Sequence, residues 1–261
     1  MLRPRIIPCL LVHNGGLGKT QAFKDVRYVG DPINAVKIFN DKEADELMVL
    51  DIDATVNGVE PDFRLISKLA SECRMPLCYG GGVTSAEQAA RIVDMGIEKV
   101  AVSSAAISRP SLLTEMASAV GKQSVVLVLD VKKKSGLFAK GYEVRTHNAK
   151  KAHKYAPVEL AKQLQEAGAG EIVINSIDRD GMLQGYDLEL ALQFKKSLKI
   201  PLTFLGGVGS LDHFNDLFVK LGVVGAAAGS LFVFKGKFRA VLINYPTPEQ
   251  KIKLCRAAMH V

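Results

Sequence analysis

Aspartate stands where several apolar runs of this 261-residue chain stop. Asp130 ends Ser124-Val125-Val126-Leu127-Val128-Leu129, Asp51 and Asp53 end a second run, and Asp178 and Asp180 follow a third. A carboxyl group at the mouth of a buried strand is placed to give or take a proton. The same residue type also caps helices and orders turns, so each of these has a plain structural reading beside the chemical one. The first run, Arg5-Ile6-Ile7-Pro8-Cys9-Leu10-Leu11-Val12, breaks the pattern. It carries Leu11, which cannot move a proton, just before the loop that begins His13-Asn14-Gly15-Gly16.

A second chemistry is written in paired glycines. Pro76-Leu77-Cys78-Tyr79-Gly80-Gly81-Gly82-Val83-Thr84-Ser85 is repeated in type and order by Pro201-Leu202-Thr203-Phe204-Leu205-Gly206-Gly207-Val208-Gly209-Ser210. The same separation relates Asp53 to Asp178 and, within one residue, Ser104 to Ser230. Glycine after a strand lets backbone N–H groups approach a phosphate, and the next helix start adds its positive dipole. Gly81-Gly82 with Ser103-Ser104 makes one expected grip, and Gly206-Gly207 with Gly229-Ser230 the other. Two facing grips fit an elongated substrate with a phosphate at each end. One Gly-Gly pair is more simply a turn. Two pairs in register, each followed by hydroxyl residues one unit later, favour binding.

Other signals are weaker. Gly15-Gly16-Leu17-Gly18-Lys19-Thr20 has the tail of a P-loop, but His13 occupies the place of its first glycine and no helical pattern follows. Nucleotide hydrolysis is set aside, and the stretch is read as a flexible glycine lid carrying Lys19 toward the substrate. His13, His147, His153, His213 and His260 lack ligand spacing, so no metal and no other cofactor is expected. Cys9, Cys73, Cys78 and Cys255 show no redox or metal spacing and are read as reduced structural thiols.

The elements that must position these residues alternate. Strand patterns cover 5–11, 46–52, 75–80, 98–103, 124–130, 170–175, 201–205 and 223–228. Helical patterns cover 31–43, 61–73, 85–95, 109–120, 156–168, 187–197, 209–220 and about 248–258. Strand then helix, eight times, is the count of a (β/α)8 TIM barrel, and the internal repeat favours two similar half-barrels over an open doubly wound sheet. Nothing in composition marks a linker, so residues 1–261 are expected to form a single domain, with half-barrels at about 1–122 and 123–261. Apolar content of 48% and charged content of 23% are those of an ordinary globular protein, with no apolar run long enough for a membrane span and no leader pattern, which reads as cytoplasmic. The net charge of +7 falls largely in Lys132-Lys133-Lys134 and Lys150-Lys151, without interleaved aromatics. That argues against nucleic acid and for a phosphorylated small molecule as partner.

With these residues in view, the chain resembles the cyclase subunit of imidazole glycerol phosphate synthase over nearly its whole length. The resemblance rests on Arg5-Ile6-Ile7-Pro8-Cys9, Gly30-Asp31-Pro32, Ala44-Asp45-Glu46-Leu47, Leu50-Asp51-Ile52, Tyr79-Gly80-Gly81-Gly82, Glu98-Lys99-Val100, Ile177-Asp178-Arg179-Asp180-Gly181, Gly185-Tyr186-Asp187 and Gly206-Gly207 with Gly209-Ser210. It implies a lyase/cyclase barrel that docks a glutamine amidotransferase (glutaminase) on its N-terminal face and passes ammonia through its core. It implies an ammonia gate of Arg5, Glu46, Lys99 and Glu171, a docking position at Glu98, phosphate contacts that include Asp180 and Gly181, and Asp130 as general acid. It also implies a general base at the end of strand one, where this chain has Leu11. Ser103-Ser104 stands where the family usually has Asn-Thr, and Asn148-Ala149-Lys150-Lys151 lacks the glycines of its substrate loop.

One branch, encoded with bacterial surface-polysaccharide genes and called glycosyl amidation-associated, is similar in Leu10-Leu11, Tyr28-Val29-Gly30-Asp31-Pro32-Ile33-Asn34-Ala35 and Ala228-Gly229-Ser230-Leu231-Phe232-Val233-Phe234. The reading preferred on the sequence is therefore a barrel that channels ammonia from a glutaminase, with an amidating enzyme as further partner, to make an amidino sugar for lipopolysaccharide. Cyclase activity in histidine biosynthesis is the alternative, and a non-catalytic regulatory scaffold for the glutaminase is the third.

Overall fold

The apolar runs pair side by side and all in parallel. In the computed structural model, which describes residues 3–136 and 140–258, they form β1 (Arg5–His13), β2 (Leu47–Asp51), β3 (Leu77–Gly80), β4 (Lys99–Val102), β5 (Val125–Lys133), β6 (Glu171–Ser176), β7 (Leu202–Leu205) and β8 (Gly225–Ala228). Each strand pairs with the next, and β8 returns to β1 from Arg5↔Gly225 to Pro8↔Ala228. The sheet closes on itself as a (β/α)8 barrel. Helices Pro32–Asp41, Phe63–Glu72, Ala86–Asp94, Ser111–Val120, Pro157–Glu166, Leu188–Ser197, Leu211–Leu221 and Pro248–Ala257 cover it. Local chemistry starts several of them: Asp31, Asp62, Ser85, Asp187 and Thr247 accept backbone N–H groups of the first turn, and proline opens three.

Strand alternation splits the core in two. One layer, with Ile6, Leu10, Val49, Phe39, Ile92, Phe194 and Phe214, lies between strands and helices. The other fills the barrel: Ile7, Cys9, Met48, Cys78, Ala101, Val126, Val128, Val173, Leu205 and Ala227, with Leu11 and Leu50 packed against it. The four cysteines are free thiols.

The structure corrects the expected glycine lid. Residues Gly16–Gln21 are a strand, not a loop, and they turn into a second strand, Lys24–Gly30. The cause is an edge. β1 is nine residues long and outruns β8, so its upper end would leave backbone groups unpaired. Gly16–Gln21 pairs there antiparallel through Leu11↔Gly18, Val12↔Leu17 and His13↔Gly16. Half a barrel away β5 is equally long, and the hairpin Tyr142–Thr146/Lys151–His153 pairs with its upper end, Asp130↔Arg145 to Lys133↔Tyr142. That hairpin occupies the stretch expected to hold the substrate loop. No helix among the described residues is long and apolar enough to cross a membrane.

Candidate functional site

Charge gathers first at the N-terminal end of the barrel. Barrel closure brings Arg5 from β1, Glu46 from just before β2, Lys99 from β4 and Glu171 from β6 into one ring of alternating sign. Arg5 Nη1 pairs with Glu46 Oε2, and Arg5 Nη2 lies 2.7 Å from Glu171 Oε1. Lys99 Nζ bridges Glu46 Oε1 at 2.8 Å and Glu171 Oε2 at 2.9 Å. Thr203 Oγ1, fully buried, donates to Glu171 Oε1 at 2.6 Å. Burial by itself would raise the Glu171 pKa, but Arg5 and then Lys99 outweigh it and hold that carboxyl down to about 2. Burial would likewise lower the Arg5 and Lys99 values, and Glu171 and Glu46 reverse both. Two buried carboxylates and two partly buried cations satisfied in this way hold one geometry; the same space filled with apolar side chains would be about as stable or more so.

Above the ring the barrel interior, here called the bore, is packed with apolar side chains. Its two cysteines are chemically quiet: burial pushes the Cys9 thiol up to about 12 and raises that of Cys78 well above the ordinary range. The bore opens at the C-terminal end into a cavity of about 200 Å³. Asp130 faces it from the end of β5 and accepts from Asn175 Nδ2 at 2.9 Å. Burial pushes the Asp130 carboxyl up to about 7; the Asn175 bond opposes this and the Asp180 charge adds to it. A carboxyl poised near neutrality is a competent proton donor. Leu11 reaches the cavity from the opposite wall.

The first expected grip, Gly81, Gly82, Ser103 and Ser104, lines this cavity, and so do Lys19, Asp180 and Gly229. Gly81 has φ +122, and a Cβ there would meet Asp51 O at 2.5 Å, so the turn itself demands glycine. The hydroxyls carry the ligand signal. Ser103 Oγ and Ser230 Oγ are buried without a hydrogen-bond partner, as is Asn175 Oδ1, and an orphaned buried polar atom is what an absent anion or water would satisfy.

Three expectations change here. Of the second expected grip only Gly229 is part of the cavity wall; Gly206, Gly207 and Ser230 stand behind it. The hairpin explains this, for the Lys19 side chain lies against Gly229, whose Cβ position is 2.7 Å from Lys19 Cε. Asp180, expected among the phosphate contacts, is occupied otherwise: it pairs with Lys19 Nζ and accepts from Thr20 Oγ1 at 2.6 Å. A carboxylate repels phosphate, and here it fixes the cation that would attract one; Gly181 packs beside it, its Cβ position 2.5 Å from Thr20 O. Lys19 itself is 7% exposed, held rather than carried on a free loop. Glu98, expected at a docking position, stays exposed at the N-terminal end and also accepts the Leu77 backbone N–H at 2.7 Å, which anchors the start of β3.

Other aspartates order turns. Asp51 Oδ1 accepts from Asp53 N and Ala54 N at 2.9 and 3.1 Å, and Asp178 Oδ2 accepts from Lys133 N at 2.7 Å. Sequence reasoning missed Thr203, Asn175 and the contact of His13 Nδ1 with Asp53 Oδ1 at 2.8 Å. Asn175 had a usable signal, a polar residue ending an apolar run as Asp130 does. It also missed Asn148, whose Nδ2 donates to Ile52 O at 2.9 Å and pins the second hairpin over the cavity. Among the described residues no group of three or more His, Cys, Asp or Glu side chains could hold a metal ion; His260 lies outside them.

The chain matches the model of the family described as "Histidine biosynthesis protein" over residues 5–239. A Vibrio vulnificus (strain YJ016) protein named "Putative imidazole glycerol phosphate synthase subunit hisF3" is 55% identical over 253 residues, covering 97% of this chain and 96% of that protein. One from Pseudomonas aeruginosa, named "Putative imidazole glycerol phosphate synthase subunit hisF2", is 48% identical over 94% of this chain and 97% of its own length. "Imidazole glycerol phosphate synthase subunit HisF" of Chlorobium phaeobacteroides (strain BS1) is 40% identical over 90% of this chain and 92% of its own length. The ring, the cavity, the matched span and these identities agree, and the chain belongs to the HisF family of imidazole glycerol phosphate synthase cyclase subunits.

Proposed function

We propose that this chain is the cyclase-type subunit of a glutamine-dependent complex, taking ammonia from a glutaminase docked below the barrel and using it on a phosphorylated substrate held above. The observation that carries the reading is the closed ring of Arg5, Glu46, Lys99 and Glu171 beneath an apolar bore that ends at Asp130. Ammonium would lose its hydration in such a bore at a cost of many kcal/mol, whereas neutral ammonia passes. The ring is the charged threshold where the proton is left behind. A groove at the same N-terminal end, lined by Arg3, Arg74, Arg256, Glu43 and the pair of Lys251 with Asp45, offers the docking subunit a mixed-charge rim with a basic excess. In the cavity, Lys19 and the Ser103 hydroxyl hold the phosphorylated end while Asp130 gives a proton to the leaving group.

The reaction proposed is formation of imidazole glycerol phosphate, the activity in the relatives' names. A second reading, delivery of ammonia for amidation of a surface-polysaccharide sugar, is favoured by Leu11, which stands where the ring-closing chemistry wants a proton acceptor. Two assays separate them. The purified chain is given ammonium chloride and the phosphorylated precursor of imidazole glycerol phosphate, and then glutamine with the partner glutaminase. Ring product from both is expected. No ring product from either, together with glutamine-dependent amidine formation when an amidating enzyme is added, overturns the first reading in favour of the second.

A further inference from the structure

Every second side chain of β1 points into the barrel. Arg5 is in the ring, Ile7 and Cys9 line the bore, and Leu11 packs at its upper rim. The next residue on that face is His13, which lines the upper cavity. Its ring is fixed. Nδ1 lies 2.8 Å from Asp53 Oδ1, and the other oxygen of Asp53 accepts the Asn14 backbone N–H at 2.8 Å. The Asn14 side-chain amide stands 3.0 Å from Nε2. A carboxylate on Nδ1 keeps the proton on that nitrogen and leaves the Nε2 lone pair as acceptor, held by an exposed amide that a substrate can displace.

We propose that His13, oriented by Asp53, is the proton-accepting group of the upper cavity and does what Leu11 cannot; this rests on the ring-closing reading above. β1 and β5 are four strands apart in a closed barrel of eight, so His13 and Asp130 look across the mouth from opposite walls. Closing a ring on ammonia makes two C–N bonds. Condensation with a carbonyl carbon releases its oxygen as water, and attack of the same nitrogen on a second carbon displaces that carbon's old nitrogen. In this attack the incoming nitrogen sheds one proton, which His13 Nε2 takes as it becomes imidazolium. As the old C–N bond breaks, the leaving nitrogen takes one proton from Asp130. Solvent at the open mouth then takes the proton from His13 and returns one to Asp130. The charged and titratable groups around His13 are Asp51 and Asp53 from the turn after β2, Lys19 from the first hairpin, His147 from the second, and Asp130 and Asp180 across the cavity. Lys19 pairs with Asp180, which leaves Asp51 and Asp53 as the carboxylates on the His13 side of the cavity.

The test uses the full chain with ammonium chloride and the same phosphorylated precursor across a pH series, joined to NMR titration of the histidine rings. His13→Gln is expected to lower kcat by about 10²-fold or more with little change in KM, and to remove the acidic limb of the pH profile. Asp53→Asn is expected to lower kcat less, because the amide no longer holds the Nδ1 proton and the ring orientation as the carboxylate does. In the NMR arm the wild-type His13 ring is protonated on Nδ1, loses that fixed tautomer in Asp53→Asn, and changes its signals when precursor is added. Wild-type turnover that His13→Gln leaves intact overturns the dyad and leaves the proposed function standing. No wild-type turnover, with a His13 tautomer that depends on Asp53 and signals that respond to precursor, overturns the ring-closing reading and leaves the dyad standing. A His13 tautomer indifferent to both Asp53→Asn and precursor overturns the dyad whatever the turnover.

Discussion

Replacing Lys99 with methionine takes away the cation that bridges Glu46 Oε1 at 2.8 Å and Glu171 Oε2 at 2.9 Å. Arg5 alone is left to face two carboxylates whose side chains are 3% and 6% exposed. Removing one partner from a buried ionic cluster costs about 3–5 kcal/mol. The Lys99 side chain is 18% exposed and Arg5 stays, so the low end applies, about 3 kcal/mol at neutral pH. For a chain of this size that is a fall in Tm of about 6–12 °C. The pH dependence is the sharper test. The Glu171 carboxyl is held at about 2 against an ordinary value of 4.5, so its stabilising contribution is complete above about pH 4.5 and is lost as pH falls through about 2. The variant lacks part of that depression. Its deficit against wild type is therefore full near pH 7 and shrinks once the pH drops below about 4.5. Denaturant unfolding at both pH values measures it, and Lys99→Met combined with Glu171→Gln completes the cycle, the pair expected to cost well under the sum of the single changes. A loss below about 1 kcal/mol at neutral pH, an equal loss at both pH values, or simple additivity would refute the account of the ring.

Three further outcomes are expected. Asp130→Asn keeps an acceptor for Asn175 Nδ2 but lowers turnover by about 10²–10⁴-fold in the ammonium assay. Because burial pushes the Asp130 carboxyl up to about 7, the folded state holds its proton where the unfolded state has lost it; Asp130→Asn therefore gains stability over wild type from about pH 4 up to about pH 7 and levels off above, as denaturant midpoints across pH would record. Lys19→Met leaves Asp180 buried without its counter-ion, so stability falls by about 3 kcal/mol and the Kd for the phosphorylated precursor, read by calorimetry, rises about tenfold. Gly207→Ala puts a Cβ 2.1 Å from Gly185 O at φ +104, which costs about 2 kcal/mol or more in thermal unfolding.

Much of the architecture is local and so was legible in the chain. Apolar runs without helical period became β1 to β8 with ends shifted by up to three residues, as with 75–80 against Leu77–Gly80 and 124–130 against Val125–Lys133, because strand alternation and helix caps depend on near neighbours. The two hairpins were not legible. Gly15 to Thr20 has no apolar alternation, and its strand exists because β1 outruns β8 and exposes an edge that only the folded barrel creates. The same hairpin moved Lys19 from an open lid to a buried pair with Asp180, which no local pattern foretells, since the two lie far apart in the chain. Arg5, Glu46, Lys99 and Glu171 were identified from a resemblance; by composition alone they are four ordinary surface charges, and barrel closure is what makes them a ring. Asp130 announced itself by type and place, yet its proton near neutrality comes from tertiary burial. Leu11 announced an absence. What answers it, His13 on Asp53, exists because β1 and β2 end side by side at the mouth, a contact between residues that share no local pattern and meet only when the sheet has closed.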